Sequence, residues 1–471
     1  MPKTQSKQRW FVKPLVVIFT LFIQFLISAQ DFSKTEVLSD LAYLKQSLED
    51  THINLYAYTS KEAFEKKYLE VKSQISAETY SLLEVINHYQ KVVAMVNNAH
   101  TRIPFPVQAY LKYANSGGGI FPLEVSIENG IAFIRKNWST NDDILIGDEL
   151  LAINNRPIQE VFENIYPQIS AERLYFKNAQ LVAFTLPRYY WLVFGEKDEF
   201  QVQIKHKDSM YTHTLKAVKA MDGYEMKRDD ILKPDSQFKH LSDDTAYLRP
   251  GKFGGEIENY RRFIDSAFGE LTTKKVKNLI IDLRNNPGGD DAFGDYLVSY
   301  IADRPFKWSS NFKLKSSALL KENVRQTKDT TERYWRSVLT HKTGEIYRYD
   351  FGSYQPQPSY KRYKGSVYVL VNRQSYSQAT VTAAQIQDYG FGKLVGEETA
   401  EFPNLYASIF SYQLPKTGIT VDVSKGKIER VSGVDTQKGV VPDMIIKDNF
   451  TFDKDHILEE IHRKIRQKTK I

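Results

Sequence analysis

Ser377 stands after the apolar run Ser366 to Val371 and the polar loop Asn372 to Tyr376, where a helical pattern over 377–389 begins. A hydroxyl on such a corner lies beside the unpaired N–H groups of a helix start, which favour a developing oxyanion. The same position also suits a plain N-cap serine. Ser375, two residues earlier, is a rival nucleophile. Gly288-Gly289 follow a second apolar run, Asn278 to Leu283. Glycines there let backbone N–H groups approach a ligand closely, or simply make a tight turn. Neither Gly-Lys-Ser/Thr nor Gly-x-Gly-x-x-Gly is present at that turn, so it is not a nucleotide-phosphate loop of those kinds. His100, in Asn97-Asn98-Ala99-His100-Thr101, is one of 9 histidines and suits a base, a ligand or a satisfied polar group. The chain has no cysteine, which excludes a thiol nucleophile and thiolate metal sites, and no His-Glu-x-x-His spacing supports a metal hydrolase.

The elements that must position these residues fall into three stretches. Ser33 to Glu36, Thr59 to Glu62 and Ser81 to Glu84 are capping-box patterns, each leading into apolar residues at helical spacing. They predict a helical N-terminal domain over 30–115 whose last long helix stops at Asn97-Asn98, with His100 just beyond. Over 116–212, a Gly117-Gly118-Gly119 loop and short alternating runs predict a compact β-rich module with one or two helices. From 240 to 448, continuous apolar strands alternate with helical segments, the mark of an α/β sheet buried on both faces. Such sheets gather their chemistry at the carboxyl ends of the strands. A C-terminal helix is expected over 449–471.

Hydrophobic residues at 42% and charged residues at 26% argue for a folded chain of more than one domain rather than disorder. Lys3, Lys7, Arg9 and Lys13, the apolar run Leu15 to Ile27 and the small pair Ser28-Ala29 have the layout of a cleaved secretory signal over 1–29. The formal net charge of +7 loses those four cations on cleavage and becomes +3, which argues against nucleic acid as the partner. The basic stretch His462 to Arg466 reads as the last turns of a helix, where cations suit the dipole.

Taken together and in order, four segments resemble the tail-specific (C-terminal-processing) serine peptidase family. They are Asn278 to Gly289, Val369 to Ser377, Gln387 to Gly390 with Leu394 to Thr399, and Lys438 to Asp443. Asn98 to Thr101 resembles the element that precedes the core in tricorn-like members, and Ile146 to Asn154 is similar to part of a PDZ domain. The resemblance implies an α/β core of the ClpP/crotonase-like type with an N-terminal helical domain and a PDZ-like module. It implies Ser377 as nucleophile and the backbone N–H groups of Gly288 and Gln378 as oxyanion hole. Where the bacterial branch carries the lysine of a Ser–Lys dyad this chain has Phe402, so the resemblance points instead to His100 as general base. The tricorn-like branch also places a glutamate just before its closing Gly-Val-x-Pro-Asp signature. Here Thr436 occupies that place, leaving Asp435 and Glu397 as alternatives for a third member. The implied protein is an exported peptidase, periplasmic or secreted, acting on protein or peptide with a peptide end held by the module. No cofactor, no nucleic acid and no membrane anchor after signal cleavage are implied. The rivals are a catalytically inactive peptide-binding protein on the same fold and a hydrolase of non-peptide esters.

Overall fold

The computed structural model describes residues 31–233, 235–448 and 455–468, so the signal-like segment 1–29 lies outside the described residues. Helices α1 (Lys34–Thr51), α2 (Lys61–Gln74) and α3 (Leu82–Val93) open the chain. Full capping boxes form at Ser33/Glu36 and Ser81/Glu84. At α2 the cap is Ser60, which accepts from the Ala63 N–H, one residue later than the pattern Thr59 to Glu62 predicts. These helices do not bury a core of their own. Leu41, Leu44, Phe64 and Tyr89 pack in one cluster with Phe312, Leu314, Val421 and Val423, residues from far along the chain. The expected separate helical domain is therefore one layer of a larger unit, because amphipathic helices of this length need an apolar partner face.

The β-rich stretch begins at helix α4 (Val107–Asn115). It continues through strands β1 (Leu123–Glu128), β2 (Ile131–Asn137) and β3 (Glu149–Ile153), then helices α5 (Ile158–Ile165), α6 (Leu174–Phe184) and α7 (Leu186–Phe194). Strands β4 (Glu199–His206) and β5 (Ser209–Lys216) complete an antiparallel sheet in the order β1-β2-β3-β4-β5. It carries more helix than the one or two expected. The extra pair, α6 and α7, shares the apolar, aromatic-rich run 181–194, and a run of that kind does not tell a buried helix from a strand. One core runs from Tyr110 to Ile231, wider than 116–212 at both ends.

Beyond Gln237 two sheets are interleaved in sequence. In chain order the elements are β6 (Gln237–Ser242), β7 (Thr245–Arg249), α8 (Ile257–Thr273), β8 (Asn278–Asp282) and α9 (Asp291–Ser299). Then come β9 (Asn311–Lys315), α10 (Ala318–Thr327), α11 (Arg333–Thr340) and β10 (Ile346–Arg348). The chain ends with β11 (Ser366–Val371), α12 (Gln378–Tyr389), β12 (Lys393–Gly396), β13 (Leu405–Gln413), β14 (Thr420–Glu429), β15 (Met444–Ile445) and α13 (His456–Lys468). The first sheet, β6-β7-β8-β11-β12-β15, is parallel apart from β6. Leu279, Ile281, Val367 and Val369 face α8, α9 and α12, while Ile280, Tyr368 and Leu370 face Ile457, Ile461 and Ile465 of α13. Burial of alternate residues on both faces is why these strands read as unbroken apolar runs. The second sheet, β10-β9-β14-β13, is antiparallel and packs on α1–α3. In α13, Arg463 and Lys464 pair with Glu460, in keeping with the helix-end reading of the basic stretch.

Candidate active site

Strands β8 and β11 lie side by side and parallel, with Asp282 opposite Leu370, so the turns after them meet. Two asparagines tie those turns together. The Asn285 N–H donates to Asn372 Oδ1 at 3.1 Å, and Asn372 Nδ2 donates to Asn285 Oδ1 at 2.8 Å. The Tyr376 N–H adds a bond to the Asn286 carbonyl at 2.9 Å. Ser377 follows with φ +49° and ψ −122°, a backbone conformation that costs an L-residue about 1–3 kcal/mol. Its side chain makes no capping bond to α12. The N-cap alternative is thereby removed, and the hydroxyl of this half-buried residue is free to point elsewhere. The rival Ser375 is fully buried, with its Oγ donating to the Leu283 carbonyl at 2.8 Å and accepting from the Asn372 N–H at 3.1 Å.

The Ser377 hydroxyl meets His100, whose Nε2 is 3.1 Å from Oγ across 277 positions of sequence. His100 reaches this place on a short strap. After α3 a 3-10 turn over Ala94–Val96 ends at Asn97 in the left-handed conformation, φ +50°. Arg102 then pairs backbone to backbone with Asp422 on β14, at 3.0 and 2.8 Å. Asn98 is fully buried. Its Oδ1 accepts from Thr101 Oγ1 at 2.9 Å and Ser424 Oγ at 2.6 Å, and its Nδ2 donates to the Tyr406 carbonyl and Glu172 Oε1, both at 3.0 Å. With all four of its hydrogen-bonding capacities used, Asn98 locks the strap that carries the imidazole.

The carboxylate behind the imidazole is Glu401. Its Oε1 lies 3.2 Å from His100 Nδ1, close but off the line of a straight hydrogen bond, and its Oε2 accepts the Ser377 N–H. This corrects both expected candidates. Glu397 is ion-paired with Arg373 at 3.1 Å, and Asp435 is exposed and closes its own turn onto the Gln437 N–H. Thr436 is exposed as well. Glu401 immediately precedes Phe402, the residue at the absent lysine's place, and a carboxylate in an otherwise uncharged run over 399–406 was the signal available in the sequence. Arg173 fixes this loop from the β-rich module. Its Nε and Nη2 donate to the carbonyls of Ala400 and Thr399 at 2.9 and 2.8 Å, and its Nη1 pairs with Glu398 at 2.8 Å.

Burial disfavours charge on both partners. It lowers the His100 imidazole to about 3, with Arg102 adding to the effect, so the ring is neutral at ordinary pH. It raises Glu401 well above the usual carboxylate range, with Glu172 nearby pushing the same way. A neutral imidazole within 3.1 Å of a serine hydroxyl, backed by a carboxylate, has the composition of a proton-accepting relay.

Gly288 packs directly under the nucleophile. A Cβ there would lie 2.5 Å from the Tyr376 carbonyl and 2.8 Å from the Gln378 nitrogen, and φ is +78°. The Gln378 N–H is the first of α12 and has no acceptor within the helix. The Gly288 N–H donates to Asn286 Oδ1 at 2.9 Å. Alongside, a cavity of about 710 Å³ lies between the β-rich module and the α/β sheet, walled by Glu124, Glu128 and Arg135 on one side and by Asn285, Arg373 and Gln374 on the other.

Residues 244–446 match the model of peptidase family S41. Over 181 residues it is 28% identical to the tail-specific protease of Haemophilus influenzae, a match that takes in 37% of this chain and 21% of that protein. The chain thus spans about a fifth of that relative's length. The fold is shared more widely. Mature CPAF complexed with lactacystin superimposes over 93% of this chain and 98% of that one, with a TM-score of 0.63 at 15% identity. Mature CPAF alone covers 88% and 92% of the two chains, with a TM-score of 0.60 at 16% identity.

Proposed function

We propose that the protein is an exported serine peptidase that cleaves peptide bonds through an acyl-enzyme on Ser377. The observation that carries this reading is the 3.1 Å approach of His100 Nε2 to Ser377 Oγ on a strained corner. His100 takes the hydroxyl proton as Oγ attacks the scissile carbonyl, then returns it to the leaving amine. Water attacks the acyl-enzyme by the same route and regenerates Ser377. Glu401 holds Nδ1–H and supports the imidazolium that forms transiently. Developing charge on the carbonyl oxygen is met by the Gln378 N–H and by Gly288, whose N–H shares its bond with Asn286. The α/β sheet serves as a ClpP/crotonase-like core. The β-rich module acts as a PDZ-like guide that holds a peptide end and feeds an extended chain along the charged cavity. Among the described residues no helix is long and apolar enough to cross a membrane, and the segment 1–29 is read as the export signal.

The test is exposure of the folded protein to a fluorophosphonate, with the labelled peptide mapped by mass spectrometry. Label on Ser377 that is lost in His100→Ala supports the peptidase. A folded protein that takes no label overturns it in favour of a non-catalytic peptide binder. A Gly288→Ala variant probes the oxyanion site separately. Its methyl would press on the Gln378 nitrogen, and displacing an oxyanion donor costs about 10²–10³ in turnover. Peptide hydrolysis is expected to fall by that factor.

A further inference from the structure

Behind the His100–Glu401 contact stands a second buried carboxylate. Glu172, two residues before α6, is supplied by the β-rich module rather than by the elements that carry the other site residues. Its Oε1 accepts from Asn98 Nδ2 at 3.0 Å and from the Ala99 N–H at 3.2 Å, the two residues that lead into His100. Its Oε2 is buried with no hydrogen-bond partner, as is Oε1 of Glu401. The residues on either side of Glu172 hold it against the Glu401 loop, since Ala171 packs with Ala99 and Ala400, and Arg173 donates to the Ala400 carbonyl at 2.9 Å. Burial raises each carboxylate, and Glu172 raises Glu401 further.

The groups that face this pair come from three sides. The N-terminal region contributes Tyr58, Asn98, His100 and Arg102. The module contributes Arg173, and the α/β part contributes Tyr376 and Ser377. Neither nearby cation is committed to the pair. Arg102 turns to Asp422 at 3.4 Å, and Arg173 to Glu398 at 2.8 Å. Among the described residues no lysine or arginine forms an ion pair with Glu172 or Glu401. Arg102 and Arg173 thus act on the pair only from a distance, and two like charges so weakly compensated in a low-dielectric site retain a proton between them.

We infer that Glu172 is a positioning residue that shares one proton with Glu401 and so decides over what pH range His100 can act as base. This inference rests on the peptidase reading above. An ionised Glu401 accepts Nδ1–H and leaves the Nε2 lone pair facing Ser377 Oγ. A protonated Glu401 gives its hydrogen to Nδ1 instead, and the ring then carries its own hydrogen on Nε2 and cannot take the serine's. While Glu172 carries the charge, the shared proton sits on Glu401 and holds the ring in this inactive tautomer. Activity is full above the pH at which Glu401 ionises and is lost as pH falls through it. Removing the charge of Glu172 lowers that point and extends activity toward acid. The module thus sets the acid limit of a site that its own strands do not form.

The experiment is the pH dependence of the fluorophosphonate labelling rate on the full chain, compared between wild type and Glu172→Gln, which keeps an oxygen for Asn98 and Ala99. On the acid side the variant is expected to label faster, by about tenfold for each pH unit its limb has moved. Coincident acid limbs overturn the inference while leaving the peptidase reading intact, whereas a wild type that takes no label at any pH overturns both. A measurement on the wild type alone covers a variant that does not fold. With the glutamate carboxyls ¹³C-labelled, one signal is expected to remain protonated well above the ordinary range, and titration of every carboxyl within that range refutes the shared proton.

Discussion

Ser377→Ala is expected to hydrolyse peptide about 10⁴–10⁶-fold more slowly than wild type, because without the nucleophile only binding and oxyanion contacts remain. The same variant separates chemistry from folding. Alanine retains the positive φ of +49° and its cost, so its melting temperature is expected to match that of wild type. Ser377→Gly is equally inactive but relieves the strain. The relief of about 1–3 kcal/mol outweighs the roughly 0.5–1 kcal/mol by which glycine favours the unfolded chain. Its melting temperature should therefore lie above that of Ser377→Ala. Thermal denaturation of the three proteins beside a peptide-cleavage assay reads both effects. Turnover by Ser377→Ala within tenfold of wild type would sink the assignment. A glycine variant less stable than the alanine variant would remove the strained-corner account and leave the nucleophile standing.

The second large effect is expected at Glu401. Glu401→Gln keeps the size of the side chain and an oxygen for the Ser377 N–H, but presents an NH₂ to His100 Nδ1. The imidazole then accepts at Nδ1 and carries its hydrogen on Nε2, the wrong tautomer for a base. A loss of about 10⁴ in kcat is the size of effect that this error produces in a serine–histidine–carboxylate site. Stability should hold or rise, since a carboxyl buried beside Glu172 is replaced by a neutral amide. The sign of the pH dependence follows. Glu172 and Glu401 have carboxyls raised in the fold, so the folded protein binds more protons than the unfolded chain between the ordinary and raised values. Their contribution makes the wild type lose stability as pH rises through that window, and Glu401→Gln should flatten the loss. Denaturant unfolding across that range measures it. A variant that unfolds at much lower denaturant at neutral pH would show instead that the carboxylate holds the loop together.

What the sequence determined by itself was local. Asn278 to Asp282 and Ser366 to Val371 read as doubly buried strands because each residue's face follows from the two-residue period of a strand. The capping boxes at Ser33 and Ser81, and the helix stop at Asn97, were legible because caps are contacts between residues three or four apart. The ordered motifs favour Ser377 over Ser375 as the nucleophile, and Phe402 at the lysine's place leaves His100 as the expected base. Everything that depends on residues meeting across the fold was decided by tertiary structure. The α6–α7 pair is hidden because the apolar, aromatic-rich run 181–194 fits a buried strand as well as a helix until its packing is known. The N-terminal helices lost their status as a separate unit because the partner that buries them, β9 with β13 and β14, arrives some 220 or more residues later. Glu401 was missed in favour of Glu397 and Asp435 because a carboxylate's role depends on what lies within 3 to 4 Å of it, and sequence distance carries no such information. Glu172 was out of reach altogether, since only the docking of the β-rich module brings it to Asn98 and Ala99.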